Sequence, residues 1–471
     1  MRTSRHVPAR LILALLAFAP PSDVLAANLD INGALRMDDY SYSNLDLNSS
    51  APNNRDFLET NAQLGIAVQS VSLKKLGEPA LDNTTMDAVL KLHAIGVTNS
   101  SGVLSNQPFA QIANNYPTVD YSPFVENAYV EIKKPYGINM TAILGRQSFK
   151  LGNGLLLDDD GAGFDGASLQ GTLPWWDLHG QAFAFVTHDA HYSVPDNLGL
   201  YGFDASLPVQ KKKGDLELNE LAEKDNPAAP VPVEGCINPG LSCETSKSFK
   251  SFTDLEYNLK YGRFSFDGVA ALERGEGSGV GSTPSRITYQ GDAEVLDFKW
   301  TQPIYHLSEP GVARVLVARG SGDRGGSGID GAFFPSHGHQ FDGMARDGYG
   351  NFFGATPYSA FGGNYAAAAG GTGNGSGLAP GASGIDTVGV GLTPPSWHGV
   401  VLDAGYDLFQ ADRVVSGSKT LGAEWDADVH YDIRDRLTLE ASMGLFKAGG
   451  ASAPTGSGSA DIFSFLAVGR F

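Results

Sequence analysis

The chain has 471 residues, 33 of them basic and 52 acidic, for a formal net charge of −19. Such an excess of carboxylates repels polyanions and excludes nucleic acid as a natural partner. No stretch offers the roughly 20 consecutive apolar residues that a spanning helix needs, so any membrane role falls to strands.

Taken from the N-terminus, Arg2, Arg5 and Arg10 precede the apolar run Leu11 to Ala19 and the small-residue site Val24-Leu25-Ala26. This is the pattern of a secretory leader cut near Ala26. Removing residues 1–26 takes three arginines and one aspartate and leaves 30 basic against 51 acidic residues, a net charge of −21. The remainder, residues 27–471, reads as one domain.

From there, short segments with one apolar and one polar face recur at about 29–42, 56–72, 85–98, 123–133, 138–149, 163–171 and 176–187. A period of two is the mark of a strand with a different environment on each side. Residues 188–250 break the rhythm and read as a long loop, in which Lys211-Lys212-Lys213 is followed by Asp215, Glu217, Glu220, Glu223 and Asp225. The same stretch holds the chain's two cysteines, Cys236 and Cys243. In an exported protein that meets an oxidising compartment, the pair is expected to join as a disulfide.

Alternation resumes at 253–261, where Leu255, Tyr257, Leu259 and Tyr261 oppose Asp254, Glu256, Asn258 and Lys260, and the chain turns at Gly262 into a second strand to Leu272. Strands follow at 286–300 and 311–321, then a second long loop at 322–382, then strands at 383–392 and 397–409. The clearest hairpin is next: Trp425, Val429 and Tyr431 oppose Glu424, Asp426 and Asp428 in residues 421–432, and residues 437–446 repeat the pattern with Glu440 on the polar face. A final strand at 460–471 ends in Phe471, which is similar to the C-terminal signal that barrel-assembly machinery reads.

The sum is an all-β chain of about 16 strands, or 18 if a hairpin lies hidden in a long loop, expected to close as a transmembrane antiparallel β-barrel. Its connections sort by parity, the even ones being short (73–84, 134–137, 172–175, the turn at Gly262, 301–310, 393–396 and 433–436) and the longest being odd (188–250 and 322–382). Barrels of bacterial outer membranes alternate short periplasmic turns and long external loops in this way. Trp175, Trp176, Tyr257, Tyr261, Trp300 and Trp397 fall near strand ends, where aromatic girdles sit.

No G-x-S-x-G elbow, H-E-x-x-H helix or C-x-x-C-H site occurs, so no enzyme and no cofactor are expected. His188, Asp189 and His191, and the pair His337 and His339, would place histidines at the loop mouth, and Asp158-Asp159-Asp160 offers oxygens for Ca²⁺. The sequence supplies neither the spaced calcium-loop pattern nor the partners that orient metal-binding histidines, so no metal is expected. Glycine-rich stretches such as Gly370-Gly371-Thr372-Gly373 lack the strand-to-helix setting of a phosphate cradle.

Three stretches resemble the alginate export family of outer-membrane porins: Gly145-Arg146-Gln147 with Phe164-Asp165-Gly166; Ser321-Gly322-Asp323 with Phe334-Pro335, His337, Gly343 and Asp347; and Leu421-Gly422-Ala423-Glu424-Trp425-Asp426. The resemblance implies a monomeric outer-membrane barrel with a polar lumen, typically of 18 strands, that passes a polysaccharide or other polar solute. Beside it stands the charge of the polar faces. They supply Asp254, Glu256, Asp267, Glu273, Asp292, Glu294, Asp403, Asp407, Glu424, Asp426, Asp428, Asp432 and Glu440, against Lys91, Lys260 and Lys299, with Arg146 and Arg319 where bulges do not flip them. A wall of that sign favours cations or neutral solutes over a polyuronate. The alternative is a barrel scaffold that sheathes a secretion or electron-transfer partner. The partners expected are outer-membrane lipid, the solute, and assembly machinery during insertion.

Overall fold

The computed structural model describes residues 27–471 except 46, 48–51, 74–82, 105–106, 175, 188–197, 210–212, 227–230, 233–243, 281–285, 304–309, 324–327, 336, 361–380, 415, 435 and 453–457. The leader with its site at Ala26, the cysteines Cys236 and Cys243, the cluster His188-Asp189-His191, and Trp175 all lie outside the described residues.

Eighteen long strands form one closed antiparallel sheet. In chain order they are β1 (Asn28–Ser43), β2 (Arg55–Ser72), β3 (Thr85–Val97), β4 (Phe124–Lys133), β5 (Met140–Gln147), β6 (Phe164–Leu173), β7 (Leu178–Thr187), β8 (Leu198–Val209) and β9 (Gly214–Asp225). There follow β10 (Glu244–Tyr261), β11 (Phe264–Val280), β12 (Asp292–Gln302), β13 (Gly311–Gly320), β14 (Ala382–Thr393), β15 (Val400–Val414), β16 (Thr420–Ile433), β17 (Leu437–Ala448) and β18 (Ser459–Arg470). Each pairs with its chain neighbours, and β1 pairs with β18 from Ala34↔Arg470 to Ser43↔Asp461, which abolishes the sheet edges. At that seam the backbones of Gly33 and Phe471 exchange two 3.0 Å hydrogen bonds.

The alternation explains why the sheet closes around a polar interior. On β16, Trp425 is 62% exposed while its neighbour Glu424 is fully buried. Leu144, Leu169, Phe203, Leu255, Val315 and Val390 are among the exposed apolar side chains that continue this belt around the barrel. Burying one such side chain is worth about 1.5–3 kcal/mol, so a continuous belt of them is stable only against lipid. Trp176, Tyr261, Trp300 and Trp397 are exposed at the strand ends nearest the termini, where a girdle belongs.

The count of sixteen from alternation is corrected to eighteen, because residues 188–250 are not one loop. β8 and β9 form a hairpin inside that stretch, paired Gly199↔Lys224 to Val209↔Gly214. Asp215, Glu217, Glu223 and Asp225 of the run that read as loop lie on the inward face of β9, with Leu216, Leu218 and Glu220 turned outward opposite them, and Lys211 and Lys212 lie outside the described residues. Splitting the stretch adds one connection on each side of the membrane and preserves the parity of the loops.

Residues 321–381 form the longest connection, and of its described residues 328–335 and 337–360 fold into the barrel rather than out of it. Two helices in the β3–β4 connection, α1 (Ser100–Val103) and α2 (Gln107–Asn114), close over the same end with Val103, Phe109 and Ile112 fully buried.

Candidate functional site: a segment clamped inside the barrel

Near the loop end the inward positions of the strands change character. Where the same faces carry carboxylates toward the termini, they carry Tyr40, Tyr42, Phe57, Phe252, Phe409 and Phe446 at the loop end, all buried. The infolded segment answers them with its own aromatics. Phe353 stacks on Phe446 at 4.7 Å and 6°, and packs on Phe409 at 4.7 Å. On the other side Phe333, Phe334 and Tyr358 join Phe149, Phe185 and Phe252.

Backbone amides of this segment would be stranded in an apolar interior without acceptors, and wall carboxylates supply them. Glu424 on β16 accepts from the amides of Phe352 and Phe353, the latter at 3.0 Å. Its neighbours Asp426 and Asp428 accept from the backbone and side-chain nitrogens of Asn351 at 3.0 and 2.9 Å. Glu59 on β2 accepts from Met344 at 2.9 Å, and Glu273 on β11 accepts from Phe334 at 2.8 Å. Arg36 on β1 binds Asp342 of the segment and Asp38 of its own strand. The wall therefore holds the segment from at least three sides.

A histidine joins the segment to the β5–β6 connection. His339 Nδ1 lies 2.7 Å from Asp160 and 3.4 Å from Asp158, and its Nε2 lies 2.9 Å from Asp347. Main-chain bonds run alongside, from Asp158 to the His337 carbonyl and from His339 to the Gly154 carbonyl, each 2.6 Å. Burial opposes charge on His339, but the hydrogen bonds to Asp160 and Asp347 outweigh it, and its pKa is raised above the ordinary imidazole range. Burial raises Asp160, whereas the bond from His339 lowers Asp347.

Between the segment and the wall, two cavities lined by described residues measure about 480 and 290 Å³. They adjoin at Arg314, Leu316, Gly348 and Tyr349, which line both. Asp267, Asp297, Asp347, Asp403, Asp407, Asp426 and Asp428 face them, against Lys299, Arg314 and His339. Lys299 and Arg314 both pair with one carboxylate, Asp297, at 3.1 and 3.3 Å.

The residues singled out from sequence fall into three groups. Asp426 and Asp428 line a cavity, and Lys91, Lys260 and Glu440 share the inward parity of their strands, Lys91 in an ion pair with Glu126 at 2.7 Å. Glu424, Asp254 and Glu256 also point inward but are buried, the first under the segment. Asp254 and Glu256 share the amide of Asn219 at 2.7 and 3.2 Å. Asp292 and Glu294 are corrected: they have the parity of Leu296, Phe298 and Trp300, which are exposed, and so face outward. Arg319 pairs with Asp292 at 3.3 Å on that same outer face, and Arg146, in register with exposed Leu144, binds Asp165 at 2.7 Å. The strand ends here rise past the apolar belt and are polar on both faces, so polarity alone does not mark the inside. Gly145, at φ +125°, does not flip the face, since the pairing Tyr129↔Gly145, Ala128↔Arg146 runs without a shift.

Sequence reasoning missed Glu59, Arg36 and Arg314, which sit on polar faces of strands already recognised, and it set aside Asp158, Asp160 and His339 as separate loop motifs. Of the three stretches that carry the family resemblance, the second contributes the segment with Gly343 and Asp347 and the third Glu424 with Asp426, while Asp158 to Asp160 lie between the two halves of the first.

No protein-family model matches the chain, and no curated protein does. Among solved structures, OccK9 (OpdG) of Pseudomonas aeruginosa aligns with a TM-score of 0.56 at 11% identity, over 94% of this chain and 98% of that one. A BenF-like porin from Pseudomonas fluorescens Pf-5 aligns with a TM-score of 0.54 at 11% identity, over 94% and 99%. The outer membrane protein OpdK of P. aeruginosa aligns at 0.51 and 13% identity, over 94% and 98%. At such identities the likeness is one of fold.

Proposed function

We propose that the chain is an outer-membrane channel through which small polar solutes, cationic or neutral, pass down their gradient beside the infolded segment. The outward apolar belt and the outer-membrane porins among the similar folds support the location. The observation that carries the selectivity is the lining of the two adjoining cavities, where the bases Lys299 and Arg314 are both engaged by Asp297 while Asp267, Asp403, Asp407, Asp426 and Asp428 form no ion pair among the described residues. In a narrow wall of low dielectric, that excess attracts cations and repels anions.

The resemblance to the alginate export family would make a polyuronate the cargo. A polymer of carboxylates needs free bases along its path, and the cavities offer it the opposite sign. A sheath for a partner protein is disfavoured, because the chain's own segment occupies the lumen that a partner would fill. Export by a leader cut near Ala26, the Cys236–Cys243 disulfide, Phe471 as assembly signal, and a monomeric state belong to the same reading.

Liposomes carrying the refolded barrel test it by osmotic swelling. Neutral sugars and amino sugars are expected to enter faster than uronates of equal size. Uronates entering as fast or faster would reject the selectivity.

A further inference from the structure

We propose that His339, Asp158 and Asp160 form a site for one divalent cation of the Zn²⁺ class, which ties the infolded segment to the β5–β6 connection. Their ligand atoms all lie within 4.8 Å of one another. Bonds of about 2.0–2.1 Å in a tetrahedron set ligand atoms about 3.3 Å apart. The Nδ1 to Asp158 separation of 3.4 Å already has that value, and Asp160, at 2.7 Å, needs to withdraw by about 0.6 Å on the same geometry.

The support that such a histidine requires is also in place. Metal-bound imidazoles donate their other N–H to a carboxylate, which fixes the tautomer and raises ligand basicity. Asp347 stands 2.9 Å from Nε2 and retains that proton, so that the metal displaces only the Nδ1 proton, to solvent, and takes the lone pair this frees toward Asp158 and Asp160. The ligands are held without a metal, because the backbone bonds Asp158 to His337 and His339 to Gly154 stitch the two segments on either side of them. Asp158 spends its other oxygen on the amide of Asp160 at 3.0 Å. The group to be displaced is Lys150, 3.1 Å from Asp158, whose half-exposed side chain has solvent to turn into.

One imidazole with two carboxylates selects the ion. Ca²⁺ takes six to eight oxygens and Mg²⁺ a near-octahedral oxygen shell, neither of which three ligands including a nitrogen supply. Imidazole with carboxylate at low coordination suits Zn²⁺ and leaves a fourth position for water or for a solute donor in the adjoining cavity, which His339 and Asp347 also line.

Calorimetric titration of the refolded barrel in detergent with ZnCl₂ and, separately, CaCl₂ tests the site. The wild type is expected to bind one Zn²⁺ at least tenfold more tightly than Ca²⁺, H339A to lose that binding, and D347N to weaken it about 10–100-fold with unchanged stoichiometry. Heat-modifiable gel mobility reports folding of each variant. If H339A fails to fold, D158N replaces it and is expected to weaken Zn²⁺ binding likewise. Zn²⁺ binding equal in the wild type and in a folded H339A or D158N barrel, or Ca²⁺ bound as tightly as Zn²⁺, overturns the proposal.

Discussion

Gly343 and Gly350 sit where the infolded segment meets the anchoring carboxylates of the wall. Both have positive φ, +64° and +79°, and a Cβ would lie 2.0 Å from Glu59 at the first and 2.5 Å from Glu424 at the second. Left-handed backbone alone costs an ordinary residue about 1–2 kcal/mol, and here the added carbon also displaces an anchoring carboxylate. G343A and G350A are therefore expected to lower stability against urea and to raise single-channel conductance, while silent conductance traces would contradict the role given to these glycines. His339 makes a second prediction, of pH dependence. Its raised pKa means that its contribution is complete below the ordinary imidazole value and is lost as pH climbs through the raised one. Asp160, also raised, loses in the same direction, and Asp347, lowered, contributes above the ordinary carboxylate value and fails only as pH falls through its lowered one. The clip is strongest between these limits, so conductance is expected to rise from neutral into alkaline solution in the wild type and to stay flat over that range in H339N. None of this was legible from single residues, because Asp160 and His339 are 179 positions apart and each, alone, looks like a loop polar group.

At the scale of elements, β16 shows how far alternation reaches. Its strict period assigned Glu424, Asp426 and Asp428 to the interior correctly, but could not tell a carboxylate facing water from one buried beneath another segment. Glu424 accepts two backbone amides, and losing such an acceptor in a buried setting costs about 1–3 kcal/mol. E424Q, which keeps a single carbonyl acceptor and brings an amide against N–H donors, is expected to loosen the segment, seen as faster hydrogen exchange at Phe352 and Phe353 with the barrel strands unchanged. Exchange slowed or unaltered there would remove Glu424 as the anchor. The hairpin of β8 and β9 was lost to sequence reading for a related reason: on β9 the outer face holds Glu220 and Lys224 beside Leu216 and Leu218, and with Asp215, Glu217 and Glu223 on the inner face the strand resembles a solvated loop. On β12 the failure ran the other way. Asp292 and Glu294 are charged because that end of the strand leaves the lipid, and their polarity was taken for an inward face.

For the whole molecule, the closed sheet, the parity of its connections and the membrane-facing belt follow from a period of two and the demand that every backbone group in lipid be paired within the protein. What fills the barrel does not follow, since the packing of residues 328–335 and 337–360 against the walls depends on contacts between parts of the chain hundreds of positions apart. The proposed selectivity rests on the cavity lining, and D403N, D407N and D428N combined are expected to reduce cation preference without changing heat-modifiable mobility. The most direct test of the account is the reversal potential of the wild-type channel in a planar bilayer under a KCl gradient. The acidic lining predicts a potential displaced toward that of potassium. A displacement toward chloride would contradict it, and would return the wall to a reading in which carboxylates, and with them a polyuronate, are the favoured cargo.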